Sequence, residues 1–114
     1  MQPLVHDAFS MIFLLLVGHA LADYPLQTEF LATAKDRSSE QGREFWLVAL
    51  GAHGLIHGGF VAIVTGSAAL GAAETVIHAL IDHLKCRRLI GLKADQAIHV
   101  TCKLLWTALM PWVT

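Results

Sequence analysis

Acidic and histidine side chains recur at four-residue intervals inside stretches that are otherwise apolar: His19 with Asp23, His53 with His57, and Glu74 with His78 and Asp82. No other feature restricts the fold of the chain so tightly. Four residues is about one turn of α-helix, so each set stacks along one helical face. An all-α fold follows, in which three helices each carry a polar stripe of imidazole and carboxylate, the residue types and spacing that ligate metal ions.

Composition says where such helices live. Apolar residues make up 55% of the 114 residues and charged ones only 15%, and the mean hydropathy of +0.57 favours a membrane over a soluble core. The formal net charge of −1 and the lack of a basic face argue against nucleic acid as a partner. Cys86 and Cys102 have no ligand spacing and form no disulfide framework, so free thiols are expected. The apolar run at 9–17 followed by Ala20-Leu21-Ala22 has the outline of a signal peptide, but no Lys or Arg precedes it. Cleavage after Ala22 would also part His19 from Asp23, so retention is expected.

Four apolar segments can be read, at about 8–22, 45–65, 67–84 and 97–113, and only the second comfortably reaches the roughly 20 residues of a spanning helix. Charge placement is more telling. Lys35, Arg37 and Arg43 lie between the first two segments, and Lys85, Arg87, Arg88 and Lys93 lie before the fourth, with Lys103 in its first turns. In a four-span protein these two connections share a side, and the positive-inside rule puts that side in the cytoplasm. The expectation is one domain over 1–114: a small integral-membrane bundle of about four helices in the bacterial inner membrane. Pro25 should end the first helix just after Asp23, and 26–34 reads as a short interfacial helix at the cytoplasmic surface.

Alternating helices place residues at comparable depths. At about 1.5 Å per residue from the cytoplasmic ends, Asp23 and Asp82 lie near the interface, His19, His53 and His78 roughly 8 to 12 Å in, and His57 and Glu74 at about 15 to 18 Å. The three stripes therefore meet in one half of the membrane. A charged carboxylate near mid-span costs on the order of 2.5 to 3.5 kcal/mol, whereas a divalent ion held by such ligands can offset on the order of 10 kcal/mol. Imidazole with carboxylate suits Zn²⁺ first, then Fe²⁺ or Mn²⁺. Seven candidate ligands exceed one tetrahedral set, which suggests two ions, or one ion with carboxylates orienting its histidines.

Other polar residues have plainer readings. His6, His83 and His99 are expected to be hydrogen-bonded rather than ligands. Asp95, His99 and Lys103, also four apart, suit a solvated stripe or a grip on an anionic group at the mouth of the site. Arg87 and Arg88 suit topology or lipid headgroups, and Gln27 suits a cap or loop hydrogen bond. Gly54 and Gly58 form a G-x-x-x-G pattern better explained by close helix packing than by a substrate crevice.

At His19, Asp23, Tyr24, Leu26 and Gln27 the chain resembles a family of small helical membrane proteins of unknown function from bacteria and their phages, marked by a histidine four residues before an Asp-aromatic-x-Leu-Gln segment. The later H-x-x-x-H and E-x-x-x-H-x-x-x-D sets fit that family too, so the resemblance covers essentially the whole chain. More distantly the stripes are similar to those of membrane-bound metal-dependent hydrolases and of the all-helical zinc phospholipase C fold. That second resemblance is one of sites.

The functional expectation is a membrane-embedded metal-dependent hydrolase acting on a lipid or lipid-linked phosphoester at the cytoplasmic leaflet. His19, Asp23, His53, His57, His78 and Asp82 would hold one or two divalent ions, zinc foremost, and supply activated water. Glu74 would act as general base or bridging ligand, and Lys103 would face developing phosphate charge. Three rivals stand beside it: a protein that binds or passes metal ions or protons, a haem protein with paired axial histidines, and a structural protein whose polar network sets helix packing. A homo-oligomer sealing the site fits the small size of the chain.

Overall fold

The computed structural model describes residues 1–113. Five helices and no strands are present among them: α1 (Ala8–Asp23), α2 (Glu29–Ala34), α3 (Gly42–Thr65), α4 (Ala68–Cys86) and α5 (Leu92–Val113). Local chemistry sets most boundaries. Asp7 caps α1 by accepting from the Ser10 amide at 2.8 Å, and α1 stops at Asp23 as Pro25 requires. Thr28 and Ser67 cap α2 and α4 in the same way as Asp7 caps α1. The α3–α4 connection is as short as a helical hairpin allows, because Gly66 takes the left-handed conformation (φ 73°) and ends α3. In the α2–α3 loop, Ser38 donates to Asp36 from both hydroxyl and amide, which holds that carboxyl below its ordinary range.

Three boundaries differ from the sequence reading by three residues or more, and the first is α2, which begins at Glu29 rather than 26. Helix α3 begins three residues earlier than 45, and α5 begins at Leu92 rather than near 97. The charges of Lys93 and Asp95 look like a loop in one dimension. In three, Asp95 turns into the protein and is buried.

The four long helices close a ring in which α1 meets α3 and α5, and α4 meets the same two from the opposite side, while α2 lies against α3. The α3–α4 seam is the most extensive. A Cβ on Gly54 would lie 2.8 Å from the Thr75 carbonyl oxygen, and one on Gly58 would collide with Thr75 Oγ1 and the Gly71 carbonyl. Glycine at these positions lets the two backbones touch, so the G-x-x-x-G pattern serves packing. Gly51 and Gly59, by contrast, face open space.

The interior divides lengthwise. Near the Gly66 turn, Met11, Leu15, Val61, Val64, Leu70 and Trp106 form the apolar core, and the N-terminal segment lies over that turn, with the Leu4 amide bonded to the Val64 carbonyl. The other half is polar. Among the described residues, twelve polar or charged side chains are buried against ten hydrophobic ones, while Phe9, Phe13, Leu47, Val48, Leu55, Val76 and Trp112 are exposed. By length and composition α3 is the one helix among the described residues suited to crossing a membrane; α1 is apolar but shorter.

Candidate metal centre

All the histidine and acidic positions singled out by spacing point into the polar half. Asp23 closes the last turn of α1, His53 and His57 are successive turns of α3, and Glu74, His78 and Asp82 are successive turns of α4. Along α4 the order agrees with the sequence reading, since Glu74 borders the apolar core, where Trp106 Nε1 donates to its Oε2 at 2.6 Å, and Asp82 sits at the far end beside Lys35; between helices it does not, because Asp23 and His57, read as lying at different depths, meet directly.

Three imidazoles converge on one carboxylate oxygen. The Nε2 atoms of His57, His53 and His78 lie 2.8, 3.2 and 3.9 Å from Asp23 Oδ1. His57 has hydrogen-bond geometry to that oxygen, whereas both ring nitrogens of His53 and of His78 are buried without a hydrogen-bond partner. A tetrahedral ion with bonds of about 2.0–2.2 Å holds its ligand atoms about 3.4 Å apart, and the three distances straddle that value. Buried imidazole nitrogens left unpaired are costly, and an ion or an ordered water could use them. Three nitrogens and one oxygen of this kind fit a zinc-type ion. The rings also stack, His57 on His78 at 3.5 Å between centroids and His78 on His99 at 4.0 Å.

The remaining expected ligands occupy other settings. His19 Nε2 lies 3.2 Å from the second Asp23 oxygen and 3.1 Å from Gln96 Oε1, beside the convergence point rather than in it. Asp82 accepts from Lys35 Nζ at 2.7 Å, with Lys85 at 3.4 Å on its other oxygen. Asp82 also groups with Asp95 and His99, and Glu74 with His78 and His99, at spacings an ion could bridge. In both of these groups, however, a lysine ammonium already occupies the carboxylates. Glu74, expected as a general base or bridging ligand, has Oε1 engaged by Lys103 Nζ and Oε2 by Trp106, with His78 Nδ1 3.4 Å from Oε1. Its contacts are those of a residue that orients His78. Lys103 is correspondingly committed to Glu74 rather than facing an open site.

Helix α5 is the main addition. Asp95, His99 and Lys103, which suited a solvated stripe, are each about 1% exposed and form the α5 wall of the cluster. His99 is hydrogen-bonded to Asp95 at 3.2 Å, as expected for that histidine, yet it also stacks in the imidazole column. Gln96 donates to Asp95 at 3.0 Å and to Asp23 at 3.4 Å, linking α5 to α1. Lys35 is 4% exposed and reaches inward from the end of α2. Its four-carbon stem lets a loop residue place a charge deep in the bundle, which no helical spacing reveals. Gln27 bonds to the Asp23 carbonyl and accepts from Lys35, a loop role as expected. His83 stacks on Trp46 outside the cluster, and His6 is exposed.

Fold and cluster together define an all-helical bundle with an internal histidine–carboxylate centre. A family model described as "Protein of unknown function (DUF3307)" matches residues 11–113, and the chain belongs to that family. Neither curated proteins nor solved structures provide a match.

Proposed function

We propose that this chain is a membrane-embedded metal protein of the bacterial inner membrane, with its basic loops in the cytoplasm, and that its centre hydrolyses a lipid or lipid-linked phosphoester at the cytoplasmic leaflet. The convergence of three histidine Nε2 atoms on Asp23 Oδ1, with no hydrogen bond made by either ring nitrogen of His53 or His78, carries the metal reading.

The membrane part is supported by the inverted distribution of side chains. Charges on α4 and α5 lower their hydropathy, yet Glu74, Asp82, Asp95 and Lys103 all point inward, so a lipid-facing surface remains apolar. The 44 Å length of the molecule suits the roughly 40–45 Å of a bilayer with headgroups. Lys35, Arg37, Arg43, Lys85, Arg87, Arg88 and Lys93 lie in or beside the α2–α3 and α4–α5 connections, which share one end, and the Gly66 turn at the other has no Lys or Arg.

For hydrolysis, Asp23, His53, His57 and His78 would hold the ion, with zinc foremost and iron or manganese next. The chemistry a divalent ion supplies is polarisation of a phosphoryl oxygen and acidification of water. Glu74 fixes His78. His19, outside the convergent set and beside Asp23 Oδ2, is the imidazole placed to take a proton. A second, non-enzymatic reading is favoured by one observation: the chain offers four ligand atoms by itself and three of these residues are 1% exposed, as in closed structural zinc sites.

Metal analysis of detergent-purified protein by mass spectrometry tests the proposal. Near-stoichiometric zinc, iron or manganese is expected in the wild type and loss of at least nine-tenths of it in His53→Ala/His57→Ala. A folded wild type that cannot be loaded with any divalent ion ends the metal reading. Loaded protein that withstands heating better than the chelated form, but cleaves no phospholipid in mixed vesicles, favours the structural alternative.

A further inference from the structure

The basic end of the bundle carries a cleft that is separate from the histidine cluster. Asp36 and Ser38 line it from the α2–α3 connection, and Cys86, Arg87 and Arg88 line it from the end of α4, around a space of about 190 Å³. That volume suits a group smaller than a drug-sized ligand. Backbone geometry singles out Arg88. With φ at 61° it is the one non-glycine residue in the left-handed region among the described residues. Its amide bonds to the Lys85 carbonyl at 2.9 Å, and the Leu89 amide bonds to the Leu84 carbonyl at 3.0 Å, which closes α4 with a turn that normally uses glycine. An arginine there carries a steric cost that glycine would not, and such strain concentrates where a side chain is needed for binding.

The charges of the cleft are held in place but not used up. The guanidinium groups of Arg87 and Arg88 make no hydrogen bond or ion pair among the described residues. On the facing side, Ser38 donates to Asp36 Oδ1 from its hydroxyl at 2.6 Å and from its amide at 2.9 Å, while Oδ2 accepts no hydrogen bond among the described residues. The loop presenting Asp36 is fixed. The Ser39 hydroxyl is shared between the Thr33 and Asp36 carbonyls at 2.8 and 2.7 Å and accepts from the Gly42 amide at 2.8 Å, and Gly42 packs too closely on the Asp36 carbonyl to admit a side chain. Two guanidinium groups and one open carboxylate oxygen therefore face a common space without rearrangement. A bare phosphate would satisfy the arginines but set like charge against Asp36; a phosphate linked to an ammonium group satisfies all three.

We infer that this cleft binds a phosphodiester whose alcohol carries a primary ammonium, the phosphoethanolamine group, with its phosphate on Arg87 and Arg88 and its ammonium on Asp36 Oδ2. A lipid headgroup and a soluble phosphodiester both present that chemistry. Trp46 puts the cleft at headgroup level. Its ring stacks on His83, one turn before Arg87, at 5.2 Å between centroids, with the Arg37 guanidinium 5.6 Å over it. Tryptophan concentrates at membrane–water interfaces. Only the lipid source rests on the membrane placement proposed above; the chemistry of the cleft does not, and no ion enters it.

Native mass spectrometry of the detergent-solubilised protein with equimolar phosphatidylethanolamine, phosphatidylcholine and phosphatidylglycerol counts the lipids retained. Calorimetric titration with glycerophosphoethanolamine and with inorganic phosphate reads the headgroup alone. Phosphatidylethanolamine should be retained at least fivefold over the other two, because the choline lipid has no N–H for Asp36 and the glycerol lipid has no ammonium. Asp36→Asn, whose side-chain carbonyl still accepts from Ser38, should lower that preference below twofold, and Arg87→Gln/Arg88→Gln should cut retention at least fivefold. Arg88→Gly separates a ligand site from a structural one. Glycine takes the turn without steric cost, so this variant should melt above the wild type while retaining at least threefold less lipid. Tighter binding of glycerophosphoethanolamine than of inorganic phosphate would support a soluble source as well, and lipid preference without it would support the membrane as the source. No preference in either assay, retention unchanged in Arg87→Gln/Arg88→Gln, or full retention in Arg88→Gly would each overturn the inference. A chain that stays monodisperse without detergent would end the membrane placement alone, since glycerophosphoethanolamine against inorganic phosphate still decides the cleft.

Discussion

Around the Gly66 turn the helices fill the bundle with Met11, Leu15, Val61, Val64, Leu70 and Trp106, whereas further along the same helices they enclose four carboxylates, three lysines and five histidines. The first region is an ordinary hydrocarbon core that gains from every methylene it buries. The second gains nothing from burial as such, since each charge must recover its desolvation cost from a specific partner. Glu74 lies on the border, joined to both by Trp106 and Lys103. The apolar half thus supplies stability that tolerates repacking, and the polar half supplies a single geometry that does not.

Substitutions along the bundle test that division. The largest effect is expected for Gly58→Val, whose side chain would meet Thr75 and the Gly71 carbonyl at the seam shared by both halves. No folded monodisperse protein should be recovered by size exclusion in detergent. Next comes Lys103→Met, which strands Glu74 in the interior at a cost of about 3–5 kcal/mol in denaturant unfolding. The double variant Lys103→Met/Glu74→Met should regain more than half of that loss, and failure to do so would show that the pair holds more than each other. Leu15→Ala in the apolar half should cost about 2–4 kcal/mol while the surviving folded protein keeps its metal content. Metal lost in proportion would mean that the two regions are not separable. Smallest is Gly59→Ala, which enters open space and should leave unfolding within about 0.5 kcal/mol of wild type.

Much of this plan is written in the chain itself. Helical periodicity alone aligns His19 with Asp23, His53 with His57, and Glu74 with His78 and Asp82, and Pro25 and Gly66 mark where helices end. Those signals are local, and so they can be read. Lys35 and Gln96 were invisible because neither belongs to a four-residue stripe, and their partners lie 47 and 77 positions away in sequence at Asp82 and His19. The burial of Asp95 escapes the sequence for a related reason: a charge near a helix start looks solvated until the facing helix is known. Which carboxylates meet a lysine is decided largely by such distant pairs, Lys103 with Glu74 and Lys35 with Asp82, although Lys85 and Asp82 are neighbours on one helix.

The long reach of those pairs also has a temporal side. Helix α1 is synthesised first, yet Asp23 meets His57 only 34 residues later and His19 meets Gln96 only when α5 has emerged. Within α1 these two groups have only each other, at 3.2 Å, until the facing helices arrive. Completion of the last helix, rather than arrival of the first, closes the interior, so a chain stalled before Gln96 carries an open polar face that quality-control proteases can recognise.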